Sequence, residues 1–200
     1  MVSDEDRKSV RSDSQTFDST TLYKWGFHGF AWTAERWKGQ SLLTLVCTSW
    51  YWNDKKFHGG KHPEILSWRK WLHYAICFKE DNYPIGYVHV SNEDSRDFGY
   101  ALAKKYWHQG ITSEACLAFI DYLRACGFSY LTATHDVENP NSRRVMQKCG
   151  FHYCYTYQEQ WQPKDKMVYF RMYQLNFKKD AEMFMGYWNR YPHFIETIEW

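Results

Sequence analysis

The chain has 200 residues, which suits one domain with a real core and short appendages. Hydrophobic residues make up 44% and charged residues 24%, which excludes wholesale disorder. The formal net charge is only +2, no basic block argues for nucleic acid, and no apolar run of about 18 residues supplies a membrane helix.

The first twenty residues hold almost no apolar side chains and read as a disordered arm. They lack the apolar core of a signal peptide. The six cysteines form no CxxC pair, so they read as reduced thiols in a cytoplasmic protein. Residues 21–70 are irregular; only Ser41–Trp52 looks like a buried element, with a short amphipathic helix near 63–71. Trp25, Trp32, Trp37, Trp50, Trp52, Trp68 and Trp71 crowd into this stretch. They read as aromatic packing or as the lining of an acceptor pocket.

From residue 71 the pattern sharpens. His73–Lys79, Ile85–Val90 and Phe98–Ala103 have the content of three strands, and their short polar connections predict an antiparallel meander. Alternation puts Ile85, Tyr87 and His89 on one face and Val88 and Val90 on the other. A helix follows over Ile111–Cys126. Its stripe of Cys116, Phe119, Ile120 and Leu123 is spaced i, i+3, i+4, i+7, and Gly127 closes it. Tyr130–Val137 alternates as a fourth strand. A strand, helix and strand joined this way predict a parallel pair with a right-handed crossover. Asn139 suits an N-cap, Pro140 the first helical position, and Gly150 the end of a second helix. Phe151–Tyr157 and Met167–Phe177 read as a hairpin through Gln162–Lys166. Asp180–Trp200 reads as a helix carrying Met183, Phe184, Tyr187 and Trp188 on one side.

Two motifs carry a resemblance. GYALAKKYWHQGITSEA, residues 99–115, is similar to a strand, cofactor loop and helix start; DVENPNSRRVMQKCGF, residues 136–151, is similar to an N-x-x-S helix ending in Gly-Phe. With the order of elements around them, they resemble the GCN5-related N-acetyltransferase superfamily, in its RimJ/RimL-like branch. The resemblance spans residues 71–177. It implies an α/β (α+β) fold: a mixed, mostly antiparallel central sheet, helices on both faces, and a splayed parallel strand pair holding acetyl-CoA. It places one domain over 21–177, with 21–70 on the acceptor side, 71–177 as the CoA-binding core, and 178–200 as a helical tail. The family's opening strand is echoed only faintly, at Thr33–Trp37.

The family loop usually reads Q/R-x-x-G-x-G/A; here it is Trp107, His108, Gln109, Gly110, Ile111 and Thr112. Thr112 stands where Gly or Ala is usual, and His108 where a second Gly is common. Helix N-termini expose unpaired N–H groups and a partial positive charge. Backbone amides from Gln109 to Thr112 therefore suit a pyrophosphate, and Gly110 permits close approach. Asn139 suits an N-cap and, by the resemblance, a contact to the pantetheine arm. Ser142 reads as a second cap or as a hydrogen-bond or proton donor to the departing thiolate. A backbone N–H near Ala101–Leu102, freed where the strands splay, would stabilise the carbonyl oxygen. Glu159 is the carboxylate nearest the position of the RimL-like base, and equally reads as a solvated hairpin charge. Met146 replaces the Tyr that many relatives use as acid.

The chemistry implied is direct attack by an amine, a protein N-terminus or a small molecule, on acetyl-CoA. No metal is implied; His58 and His62 flank two glycines and do not make a helical ligand pair. The alternatives are a catalytically silent CoA-binding module and an aromatic-rich interaction domain. Expected partners are the amine acceptor, with no nucleic acid or membrane, in a monomer or homodimer.

Overall fold

The computed structural model describes residues 70–81, 83–162 and 165–197, with the backbone of two strands at 31–32 and 43–47. The expected arm over 1–20, the helix near 63–71, most of the acceptor-side segment and the His58/His62 pair lie outside the described residues. Five strands form one antiparallel sheet in chain order: β1 (Ala31–Trp32), β2 (Leu43–Cys47), β3 (Trp71–Phe78), β4 (Pro84–Ser91) and β5 (Phe98–Leu102). The expected meander is its last three strands.

One face differs from simple alternation. The β3–β4 register shifts between Ile76 and Cys77, so that Ile76 pairs Gly86 and Cys77 pairs Pro84. Ile85 is the extra residue of this bulge. It is fully buried and joins Val88 and Val90 in the main core rather than the face of Tyr87 and His89.

Helix α1 (Ile111–Ala125) runs from this sheet to β6 (Tyr130–Asp136), and α2 (Pro140–Lys148) leads into β7 (His152–Trp161) and β8 (Lys166–Asn176). Cys116, Phe119, Ile120 and Leu123 of α1 are all buried, as their spacing predicts. Gly127 and Gly150 end the two helices in the left-handed conformation that glycine tolerates, at φ +88° and +85°. β6, β8 and β7 form a second antiparallel sheet.

The two sheets touch at one place. Asp97 of the β4–β5 turn and Thr132 of β6 make a single parallel bridge. Thr132 N donates to Arg96 O at 3.2 Å, and Thr132 Oγ1 donates to Ser95 O at 2.7 Å. Beyond that bridge β5 and β6 make no ladder among the described residues, so the strands part. Phe98 packs on Phe119 and Phe151, with ring centroids 5.9 and 5.7 Å apart, and fills the base of the V.

The tail departs from expectation. Helix is confined to α3 (Gly186–Arg190), and β9 (His193–Phe194) pairs with the edge of β7. A Gly at 186 and a Pro at 192 bound the helical stretch, and long-range partners satisfy the rest of the backbone. Gln174 accepts from Phe184 N at 2.8 Å and donates to Glu182 O at 2.8 Å. Tyr155 OH donates to Phe184 O at 2.8 Å. Arg171 grips Glu196 at 2.5 Å, a pair about one-fifth exposed on each side. The Arg171 guanidinium holds the Glu196 carboxyl below its ordinary range. Tyr187 and Trp188 of α3 cover Tyr157 and Tyr155, while α1 and α2 pack on the opposite face of the second sheet.

Gly99 faces His89 across β4–β5; a Cβ there would sit 2.4 Å from His89 Nε2. His89 Nδ1 is sealed from solvent without a hydrogen-bond partner. Burial, and then the neighbouring His73, hold His89 down to about 3. Above 6.5 the imidazole is neutral in both folded and unfolded chains. As pH falls from 6.5 toward 3, the unfolded chain takes a proton that the folded chain refuses. Thermal melts across that window are expected to show Tm declining with acid, with a shallower decline in His89→Gln. Identical profiles for the two proteins would contradict this reading.

Candidate functional site

The cavity lies along the free edge of β5, beyond the point where β6 parts from it, and its described lining includes no β6 residue. It encloses about 370 Å³ between the end of β5, the start of α1 and one face of α2. Three local features build it.

The first is the entry to α1. A short 3₁₀ turn at Lys104–Tyr106 leads into it. The Trp107 indole donates to Leu102 O at 2.7 Å and pins this turn to the end of β5. His108 and Gly110 both adopt left-handed backbone, at φ +60° and +81°. His108 thus fills a backbone position that a glycine would occupy without strain. Gly110 is the N-cap of α1 and has no side chain to close the helix end. The first-turn amides of α1 are therefore left for another acceptor. A Cβ on Gly110 would meet nothing within 4 Å.

The second is the gap edge of β5. Ala103 N donates to Ile85 O at 2.9 Å, toward β4. By alternation, the amide groups of Leu102 face the other way, into the gap. Leu102 O is taken by Trp107, which leaves the Leu102 N–H facing the gap, beside the amide groups of Tyr100, which share its parity.

The third is the first turn of α2. Asn139 Oδ1 accepts from Ser142 N at 3.2 Å, the expected N-cap bond. Tyr100 OH reaches across from β5, donating to Ser142 O at 2.9 Å and standing 3.0 Å from Ser142 Oγ. Burial first, and the Cys116 thiol second, push the Tyr100 phenol well above its ordinary range. It is therefore neutral at ordinary pH.

Of the residues singled out in the sequence, Ala101, Leu102, Trp107, His108, Gly110, Ile111, Thr112, Asn139 and Ser142 line this cavity. Gln109 does not, because its side chain turns back to Lys105 O at 3.3 Å. Glu159 does not either. It lies on β7, where Tyr191 OH donates to its Oε1 at 3.0 Å. Met146 is buried core, consistent with the absence of a Tyr acid at that position.

Sequence reasoning missed Tyr100, Tyr106, Ser113, Asn141, Arg144, Val145 and Lys148 of the lining. The last four recur at i, i+3, i+4 and i+7 along one face of α2. With Asn139 as the cap, that spacing is readable from the sequence. Arg144 and Lys148 bring positive charge to the cavity, and no carboxylate lines it among the described residues. Among the described residues, no group of three or more His, Cys, Asp or Glu is arranged to hold a metal, and Cys77, Cys116, Cys126, Cys149 and Cys154 form no disulfide. No described helix is long and apolar enough to cross a membrane.

A sequence model of the acetyltransferase (GNAT) domain matches residues 48–152, just over half of the chain. YkkB of Bacillus subtilis strain 168, an uncharacterized protein, is 34% identical over 68 residues, which cover 34% of this chain and 40% of YkkB. The solved ribosomal-protein-S5-alanine acetyltransferase from Vibrio fischeri superposes with a TM-score of 0.50 at 18% identity, over 56% of this chain and 65% of that one. A chimera of Vibrio cholerae spermidine N-acetyltransferase SpeG and hSSAT also reaches 0.50, at 14% identity, over 57% and 72%. These two likenesses are of fold. The chain thus spans less than half the length of the curated relative it matches, and just under two thirds of the Vibrio fischeri enzyme.

The cap assignment is directly checkable. Asn139→Ala is expected to lower unfolding stability by about 1 kcal/mol in urea titration, and Asn139→Asp to retain most of it. Equal losses in both variants would mean that the side chain matters for something other than the Ser142 N–H.

Proposed function

The chain belongs to the GNAT acetyltransferase family, and we propose that it moves an acetyl group from acetyl-CoA to a primary amine. One observation carries this reading: the start of α1 is bare of any capping side chain and opens on a cavity along the free edge of β5. The residues fit the cosubstrate. The first-turn amides of α1 supply unpaired donors and the positive end of the helix dipole for a diphosphate. The open space before Gly110 leaves room for phosphate oxygens to approach the backbone. Arg144 and Lys148 add mobile positive charge along the α2 wall. The Leu102 N–H faces the gap where a carbonyl oxygen would accumulate charge.

In the reaction, the amine nitrogen bonds to the acetyl carbon and the carbon–sulfur bond breaks. The amine gives up one proton and the sulfur gains one. No covalent enzyme intermediate is needed, so the buried cysteines act as packing residues. Ser142 would donate a hydrogen bond to the leaving sulfur. Glu159 is the proposed base, on the tail side of β7, with Tyr191 as its present hydrogen-bond donor. The acceptor is a protein N-terminus or a small-molecule amine, acting on a monomer or homodimer in the cytoplasm.

A second reading is a CoA-binding module without turnover. The position of Glu159, hydrogen-bonded to Tyr191 on the tail side of β7, favours it. The two separate by thiol release from acetyl-CoA across a panel of amines: turnover on any of them supports the enzyme, and tight CoA binding with none supports the silent module.

Acetyl-CoA at about 100 times its Kd is expected to stabilise the protein by about 2.7 kcal/mol, read as a rise in Tm. Gly110→Val should abolish that rise; an unchanged rise would contradict the α1 assignment. On an accepted amine, Ser142→Ala should lower kcat more than it weakens acetyl-CoA binding. The reverse pattern would make Ser142 a binding residue only.

A further inference from the structure

We propose that Tyr100 is a positioning residue whose phenol sets the direction of the Ser142 hydroxyl, so that the Oγ–H points at the sulfur of the bound cosubstrate. This rests on the reading of Ser142 as the sulfur contact. Both residues line the same cavity, one from each side of the gap. Tyr100 OH lies 2.9 Å from Ser142 O and 3.0 Å from Ser142 Oγ.

A phenol has one proton to give and can accept in return, and so does a serine hydroxyl. Two arrangements satisfy the pair. With the phenol proton on Ser142 O, the phenol oxygen accepts from Ser142 Oγ–H, and the serine proton faces away from the cosubstrate. With the phenol proton on Ser142 Oγ, the serine proton is released into the cavity. A sulfur gaining negative charge selects the second arrangement, because hydrogen bonds to ionised acceptors are roughly twice as strong as neutral ones.

The surroundings keep Tyr100 in this role. The titratable groups around its hydroxyl are Cys116, Cys149 and Tyr173, and all three favour the neutral phenol. Asn139 fixes the Ser142 amide at 3.2 Å, and Tyr100 OH stands 3.0 Å from Ser142 Oγ. The serine oxygen is thereby placed before the cosubstrate arrives, and the sulfur then selects which of the two proton arrangements is used, a gain in orientation rather than in contact. No proton changes owner in this proposal; the sulfur receives a hydrogen bond.

The test needs no acceptor. CoA, and desulfo-CoA lacking the sulfur, are titrated calorimetrically on either side of a thiol pKa of about 8.5. In the unmodified protein, the preference for CoA over desulfo-CoA is expected to grow severalfold as the thiol ionises. Ser142→Ala and Tyr100→Phe should each abolish that growth, the double variant should be no worse than either, and desulfo-CoA affinity should stay within about twofold throughout. Growth lost in Ser142→Ala but retained in Tyr100→Phe overturns the proposal and leaves the Ser142 reading intact. Growth retained in Ser142→Ala overturns both. A large loss of desulfo-CoA affinity in Tyr100→Phe would make Tyr100 a packing residue and overturn the proposal as well.

Discussion

The site depends on a single point of contact between two sheets. β5 and β6 meet through the Asp97–Thr132 bridge and the Thr132 bonds to Arg96 O and Ser95 O, and nowhere further along. Continued parallel pairing from that bridge, at Gly99 and then Ala101, would consume the Tyr100 and Leu102 N–H groups and close the gap. The parting is held open from below by Phe98, Phe119 and Phe151, which occupy the angle of the V. Above it, the side chain of Tyr100 reaches to the first turn of α2. Strand backbone is thus left unpaired at one place, beside a helix start that is unpaired too. Buried backbone groups rarely go without partners, so the arrangement makes physical sense when a polar molecule supplies them.

The remainder of the fold serves to keep that geometry rigid. α1 is anchored along its whole buried stripe, which fixes the direction of its bare N-terminus. α2 is fixed at both ends, by Asn139 at its start and by Phe151 N donating to Met146 O at 3.0 Å past its end. The tail works on the far side of the second sheet. It caps the exposed edge of β7 through β9, which removes a row of unpaired strand groups. It also ties Arg171 through Glu196 and Glu159 through Tyr191. Glu159 is thus held by the tail on one face of the second sheet, and Ser142 by Tyr100 on the other.

Local punctuation was legible in the sequence because it acts over a few residues. Asn139, Pro140 and Gly150 mark α2 through cap and turn chemistry alone, and the cavity-facing residues at its start follow from it. Strand identity was equally legible, but facing was not. Strict alternation gives Glu159 the parity of Phe151 and Tyr153. A register shift between Tyr153 and Tyr155 reverses that parity. Phe151 and Tyr153 therefore face the main core while Tyr155 and Tyr157 face the tail, and Glu159 goes with the latter. The Ile85 bulge acts in the same way. Bulges are set by long-range pairing, which periodicity does not carry. The tail was misread for a related reason. Its apolar residues have helical spacing, yet Gln174, Tyr155 and the β7 edge supply better partners for its backbone than a helix would.

The most direct measurement is the amide ¹H–¹⁵N spectrum of the protein titrated with CoA. The account predicts that the largest shifts fall on Ile111, Thr112 and Ser113 at the start of α1, followed by Leu102 on the gap edge of β5. Saturable binding that leaves those four amides unmoved and perturbs another surface would contradict it.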